Sequence, residues 1–209
     1  MINYKIIDDF LTQDDFSALS NLKLDDIPEN EIKIYHNEID KNHSVVSNTI
    51  DKNLIERLNK NYLNKGLEIL KELNPEKCSL LDYSDFTIIK TGKNYKFPIH
   101  DDTPNKLLSG VIYLTPKKNT GTIIYETKSG KGKKTIDWQQ NRGLFFSRIE
   151  NETWHSYEGD GVSDRVALVF NLMTKNIKKV YEIEKKSYYL GNLRWKLNPY
   201  LYRYFKINI

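Results

Sequence analysis

The sequence predicts a mainly β domain with flanking helices, of the sandwich or jelly-roll kind, from three observations. From Leu81 onward the chain breaks into many short apolar runs of β type. Turn signals separate them: Thr91-Gly92-Lys93-Asn94, Thr103-Pro104-Asn105, Lys117-Lys118-Asn119 and Ser129-Gly130-Lys131-Gly132. Ahead of them, Leu54, Ile55, Leu58, Tyr62, Leu63, Leu67, Ile69 and Leu70 recur with helical spacing and mark an amphipathic helix able to cover an outer sheet face. Short strands at this spacing are the pattern of antiparallel double sheets.

Taken in order, Tyr4-Lys5-Ile6-Ile7-Asp8-Asp9-Phe10-Leu11 reads as a short strand. Thr12 suits an N-cap for a helix through Asp14 to Leu22, because its hydroxyl can satisfy an orphan N–H of the first turn. Residues 23–50 are polar and irregular, with a strand around Ile32 to Tyr35. The long helix ends at Asn74-Pro75, since a residue before proline is pushed out of the helical region. Strands are expected at about 83–91, 95–100, 107–115, 120–126, 142–148, 153–157 and 164–173. The aromatic stretch Leu193 to Phe205 is expected to pack as a terminal helix.

With 209 residues, 39% of them hydrophobic, the chain holds one sizeable core, and a second independent domain would leave each half thin. We expect a single domain over 1–209: helical N-terminal support at about 1–80, a β core at about 81–175 and a basic, aromatic C-terminal extension at about 176–209. The single cysteine, Cys78, excludes an intramolecular disulfide framework and suits a reducing compartment. Met1-Ile2-Asn3-Tyr4-Lys5 lacks the basic and then apolar pattern of a signal peptide. The longest clean apolar run, Val166 to Phe170, is far short of a membrane span. A cytoplasmic location is the expectation.

Charge is unevenly spread. Residues 1–60 carry twelve acids against seven bases, whereas residues from Lys175 onward carry nine bases against two acids. A basic tail with interleaved aromatics could touch nucleic acid, an anionic lipid surface or an acidic partner. No nucleic-acid motif accompanies it, so a solvated helix face is the preferred reading and a nucleic-acid partner is not expected.

The chemistry-bearing residues lie in the β region. His100-Asp101-Asp102 falls on one predicted strand and Trp154-His155-Ser156-Tyr157 on another. Strand alternation puts His100 and Asp102 on one side and Asp101 on the other. The remaining histidines, His36 and His43, sit in the polar N-terminal stretch. Two neutral imidazoles and one carboxylate on a face form a triad that suits non-haem Fe(II) and leaves coordination positions open. Arg165, ten residues after His155, opens the apolar run Val166-Ala167-Leu168-Val169-Phe170. Burying an unpaired guanidinium there would be costly. Either it pairs with Asp164 at the surface, or its fork points into the roll to receive a carboxylate in bidentate fashion.

Together with Gly110-Val111-Ile112-Tyr113-Leu114, Thr120-Gly121-Thr122, Gly143-Leu144-Phe145-Phe146 and Asp164-Arg165-Val166, these residues carry a resemblance. The stretch from about Leu81 to Met173, a little under half the chain, resembles the catalytic core of Fe(II)/2-oxoglutarate-dependent oxygenases. It is most similar to their prolyl 4-hydroxylase-like branch. Ile7-Asp8-Asp9-Phe10-Leu11 followed by a helix is similar to how such proteins begin.

The resemblance implies a double-stranded β-helix, the jelly roll shared with cupins, and a hydroxylating dioxygenase. His100, Asp102 and His155 would be the metal-binding, catalytic residues. 2-Oxoglutarate would chelate Fe(II), with Arg165 and Tyr113 holding its distal carboxylate, and O2 would take the last position. Succinate and CO2 would be released as a substrate C–H bond is hydroxylated, with ascorbate as an optional reductant. Many members of that branch have lysine where this chain has Arg165, and several other branches have a serine where it has Ala167. The second departure removes one hydroxyl partner for the cosubstrate.

No motif encodes the substrate, whether peptidyl proline, amino acid, sugar or other metabolite, nor the oligomeric state. A cupin-like metal-binding module without oxygenase activity would explain the histidines but not Arg165. An adaptor acting through the basic C-terminal region is a further alternative. The hairpin Thr127 to Lys134 reads as a solvated tip or as a lid over an acidic substrate. Trp138, Arg148 and Trp154 lie near the motif strands, and alternation turns Trp154 away from the metal face and into the core.

Overall fold

The computed structural model describes residues 3–205. The chain opens with β1 (Tyr4–Ile7), α1 (Gln13–Ser20), β2 (Ile32–Tyr35), β3 (Glu38–Asp40), β4 (Val45–Ser47) and α2 (Lys52–Leu73). Thr12 caps α1 by accepting from the Asp15 N–H at 3.3 Å. Asp51 caps α2 by accepting from the Leu54 N–H at 2.9 Å. As the proline requires, α2 stops at Asn74, and a 3-10 turn follows over Pro75–Leu80.

The β region then runs β5 (Tyr83–Thr91), β6 (Lys96–His100), β7 (Lys106–Thr115), β8 (Ile123–Ile124), β9 (Lys134–Thr135), β10 (Gly143–Phe146), β11 (His155–Glu158) and β12 (Arg165–Met173). All ladders are antiparallel. One sheet has the order β1-β10-β7-β12-β5-β3-β4, with β2 also on β5, and the second has the order β6-β11-β8-β9. This is the jelly roll expected from the sequence.

Central strand β12 pairs along its length with both β5 and β7, and its alternation sorts two environments. Leu168, Phe170 and Leu172 are buried in the main core with Ile55, Leu58, Tyr62 and Leu70 of α2. Each such side chain contributes roughly 1.5–3 kcal/mol by leaving water. Phe170 stacks on Phe86 at 4.7 Å, and a side chain at Gly66 would collide with the Phe170 ring at 2.8 Å. Arg165, Ala167 and Val169 face the opposite way, into a cavity between the sheets.

Several details differ from the sequence reading. Beside the expected helices and the strands near 4–7 and 32–35, the first 80 residues supply β3 and β4 to the large sheet. The strand expected over 120–126 pairs regularly only at Ile123–Ile124. Around it Ile136 N–H still donates to Thr122 O and Tyr125 N–H to Trp154 O. At the C-terminal end, α3 (Ile177–Ile183) precedes α4 (Tyr188–Phe205), which begins ahead of Leu193.

The end of α3 is held by buried charges. Glu184, just after α3, receives Lys77 Nζ at 2.7 Å and Arg148 NH1 at 2.8 Å, all three side chains being inaccessible to solvent. Among the described residues no helix is long and apolar enough to cross a membrane.

Candidate metal centre

His100 is the last residue of β6 and His155 the first of β11, and the two are direct partners in the ladder. Strand pairing therefore brings together histidines far apart in sequence, with ring centroids 4.1 Å apart. Asp102 completes the group. One ligand atom from each of His100, Asp102 and His155 lies within 4.8 Å of the other two. Among the described residues this is the single such cluster of histidine, cysteine and carboxylate groups.

The route by which Asp102 gets there differs from the sequence reading. β6 stops at His100, so Asp101 and Asp102 lie in the following loop rather than on the strand. Their carboxylates nevertheless diverge. That of Asp101 accepts from Asn151 N–H at 2.8 Å and Thr153 Oγ1 at 2.6 Å. That of Asp102 turns to the histidines and accepts from Ser109 Oγ at 2.5 Å and Lys106 Nζ at 2.8 Å. Sequence reasoning missed Lys106, because its placement depends on the turn between β6 and β7 and not on any periodicity.

Backbone acceptors set the tautomers. His100 Nδ1 lies 2.9 Å from Pro98 O, and His155 Nδ1 lies 2.9 Å from Thr153 O. A carbonyl only accepts, so each Nδ1 carries the proton and each Nε2 keeps its lone pair for a metal. Burial, reinforced by repulsion from His155, pushes the His100 imidazole down to about 3, which holds it neutral. Burial alone would raise the Asp102 carboxyl. The Lys106 ammonium, through its charge and its hydrogen bond, and the adjoining His155 and His100 rings outweigh it and hold the group well below the ordinary carboxylate range. Neutral imidazoles and an ionised carboxylate are the donor set that a divalent first-row metal takes.

Arg165 opens β12 and lies in the same cavity, of about 300 Å³, as the three metal-type ligands. It is only 6% exposed. Its guanidinium sits 4.0 Å from the ring centroid of Tyr157 and 5.6 Å from those of Tyr113 and Trp138. Among the described residues its Nε has no hydrogen-bond partner. Asp164 does not take it, since that carboxylate lies 3.6 Å from Lys90 Nζ instead. The surface-pairing alternative is thereby removed. Burial lowers the Arg165 pKa, with Tyr113 and Tyr157 opposing, but a guanidinium remains charged. Among the described residues this buried cation has no counter-charge, and on its aromatic bed it can receive an anion.

Tyr113 is fully buried and stacks on Trp138 at 4.5 Å. Its hydroxyl accepts from Thr122 N–H at 2.8 Å, and its ring supports the guanidinium without itself lining the cavity. Tyr157, which the sequence reading passed over, lies closer to Arg165. Alternation from His155 was the signal that could have found it. The basic hairpin is exposed at its tip, with Lys128 over the Trp154 ring at 5.8 Å. Trp154 packs with Ile123, Tyr125 and Ile99.

No protein-family model and no curated protein sequence matches this chain. Solved structures match it at the level of fold. A prolyl-4-hydroxylase from Pseudomonas putida superimposes with a TM-score of 0.57 at 13% identity, over 84% of this chain and 95% of that one. A prolyl hydroxylase from Trichoplax adhaerens, in complex with a hypoxia inducible factor oxygen degradation domain peptide fragment, gives 0.56 at 15% identity, over 85% and 86%. A 2OG-Fe(II) oxygenase family protein from Burkholderia pseudomallei gives 0.55 at 14% identity, over 81% and 84%. The fold of this chain is that of these oxygenases.

Proposed function

We propose that this chain is an Fe(II)- and 2-oxoglutarate-dependent dioxygenase that hydroxylates a small-molecule or peptide substrate. One observation carries the reading: His100, Asp102 and His155 share a cavity with a buried guanidinium that has no counter-charge among the described residues. A metal-binding module of the cupin kind has no use for Arg165 at that place. A dicarboxylate that chelates the metal at one end needs a cation for the other.

In this reading His100 Nε2, His155 Nε2 and one Asp102 oxygen hold the iron. Lys106 and Ser109 fix the Asp102 carboxylate, and the carbonyls of Pro98 and Thr153 orient the rings. Arg165 receives the distal carboxylate of 2-oxoglutarate, and Tyr113, closed off from the cavity, backs that guanidinium with its ring in place of the direct contact the resemblance implied. Apolar Ile89, Val111, Phe146 and Val169 around the cavity keep water from competing for these contacts. Bound iron supplies activation of O2, so that 2-oxoglutarate, O2 and a substrate C–H become succinate, CO2 and C–OH.

The direct test is anaerobic titration of the Fe(II)-loaded protein with 2-oxoglutarate. A weak visible metal-to-ligand band should grow in, and aerobic succinate release should require Fe(II). Tight metal binding with no band and no succinate would leave only the metal-binding module.

A further inference from the structure

A second cavity, of about 290 Å³, shares His100 and Asp102 with the first but leaves Arg165 and His155 behind and runs toward the C-terminal helices. Its walls include Phe97, Trp154, Tyr181 and, from α4, Gly191, Arg194 and Trp195.

α4 is a fitted wall of this cavity. A Cβ at Gly191 would fall 2.3 Å from the Tyr181 ring, so only glycine lets the helix seat this closely. Tyr181 is itself buried, and its hydroxyl donates to Glu150 at 3.3 Å. Arg194 reaches across to Glu150 at 2.7 Å and approaches Asp101 at 3.7 Å.

These pairs also define what the cavity can accept. Arg148 is committed to Glu150 and Glu184, and Arg194 to Glu150. Asp101 is held by Asn151 and Thr153. A charged ligand would have to compete with pairs formed inside the protein, where breaking one is costly. A cation would in addition meet Arg148, Arg194 and Lys128. Beside Lys128, which lies over the Trp154 ring, and the uncharged Thr103 and Asn198, the rest of the lining is aromatic and apolar surface: Phe97, Trp154, Tyr181 and Trp195, with Pro98 and Pro104. Such surface takes apolar and ring-bearing groups.

The geometry points to this cavity as the substrate chamber, walled by α4 and taking an uncharged, mainly apolar group of about amino-acid size. This rests on the oxygenase reading above, in which the first cavity holds the cosubstrate. The reacting carbon would then approach the metal from the His100 and Asp102 edge, away from Arg165.

The test is calorimetric titration of the anaerobic Fe(II)/2-oxoglutarate protein with N-acetyl amides of leucine, lysine and aspartate. The leucine amide should bind at least about tenfold more tightly than either charged amide and shift the visible band. Trp195→Ala and Gly191→Val should each weaken it by roughly tenfold while iron and 2-oxoglutarate bind as before. Circular dichroism would confirm that both variants fold, and Trp195→Ala, which imposes no clash, decides if Gly191→Val does not. Preference for a charged amide, no binding of any amide, or unchanged binding in Trp195→Ala would overturn the assignment. Loss of iron or 2-oxoglutarate binding in the parent protein would instead overturn the oxygenase reading, and amide titration of the metal-free protein would still report on the cavity.

Discussion

Thr153 Oγ1 donates to Asp101 Oδ1 at 2.6 Å, while the carbonyl of the same threonine accepts the Nδ1 proton of His155 at 2.9 Å. One residue thus ties the loop carrying Asp102 to the strand carrying His155. Burial pushes the Asp101 carboxyl up, opposed first by Arg148 and then by this hydrogen bond, so the contact matters to its charge as well.

Thr153→Val should therefore loosen the metal centre without touching a ligand. The expected loss is about 10–100-fold in Fe(II) affinity, the range found when the partners of metal ligands are removed. Thr153→Ser, which keeps the hydroxyl, should restore most of it. Wild-type iron affinity in the valine variant would refute the link.

Arg165 lends itself to a cleaner separation of roles. Arg165→Ala should raise the KM for 2-oxoglutarate on the order of 100-fold, through loss of a charge-assisted contact in a buried site. Arg165→Lys should fall between, because an ammonium keeps the charge but loses the planar fork. Iron affinity measured without cosubstrate should stay within a few-fold, since Arg165 is no metal ligand. An unchanged KM in Arg165→Ala would remove the anion role.

These expectations rest on residues that were legible in the sequence for a physical reason. His155 and Arg165 open their strands, His100 closes one, and the alternation of β12 separates the Arg165 face from the Phe170 face. Edge strand β4 and its neighbour β3 were not legible: they are three residues each, and β4 shows no buried position. The contacts of Lys106 and Thr153 arise from loops, whose course follows from packing and not from pattern. The α4 wall was hidden as well, since the seating of Gly191 depends on where Tyr181 ends up.

Acid should destabilise the metal-free protein, and the sign follows from His100. Its imidazole is lowered from 6.5 to about 3 by burial and by His155. Between those values the unfolded chain binds a proton that the folded chain refuses, so stability falls as pH drops through 6.5 toward 3. Asp102, also lowered, adds a loss only below its ordinary value of 3.8. Melting temperatures of metal-free protein should decline from about pH 7 to about pH 5, and His100→Gln should flatten that decline. Equal slopes in the two proteins would show that His100 is not the group responsible.

Glu184 sits where two buried cations converge, Lys77 Nζ at 2.7 Å and Arg148 NH1 at 2.8 Å, and it also accepts from Glu150 N–H at 3.0 Å. Burial lowers the Lys77 pKa, with Glu184 as the main opposing influence, so the pair holds its charges through mutual support. Glu184→Gln would leave two buried cations facing a neutral amide, at a cost of about 3–5 kcal/mol by urea unfolding. Arg148→Met removes one cation and should be milder in combination than the sum of the two single changes, because it relieves part of the excess positive charge. The same network connects the 3-10 turn after α2, the loop after β10 at Arg148 and Glu150, and the end of α3. Glu184→Gln should therefore also loosen α4 first, read as faster amide exchange across residues 188–198 than across β12. Equal exchange in both segments would mean that the network stabilises the domain as a whole and does not specifically hold the wall of the second cavity.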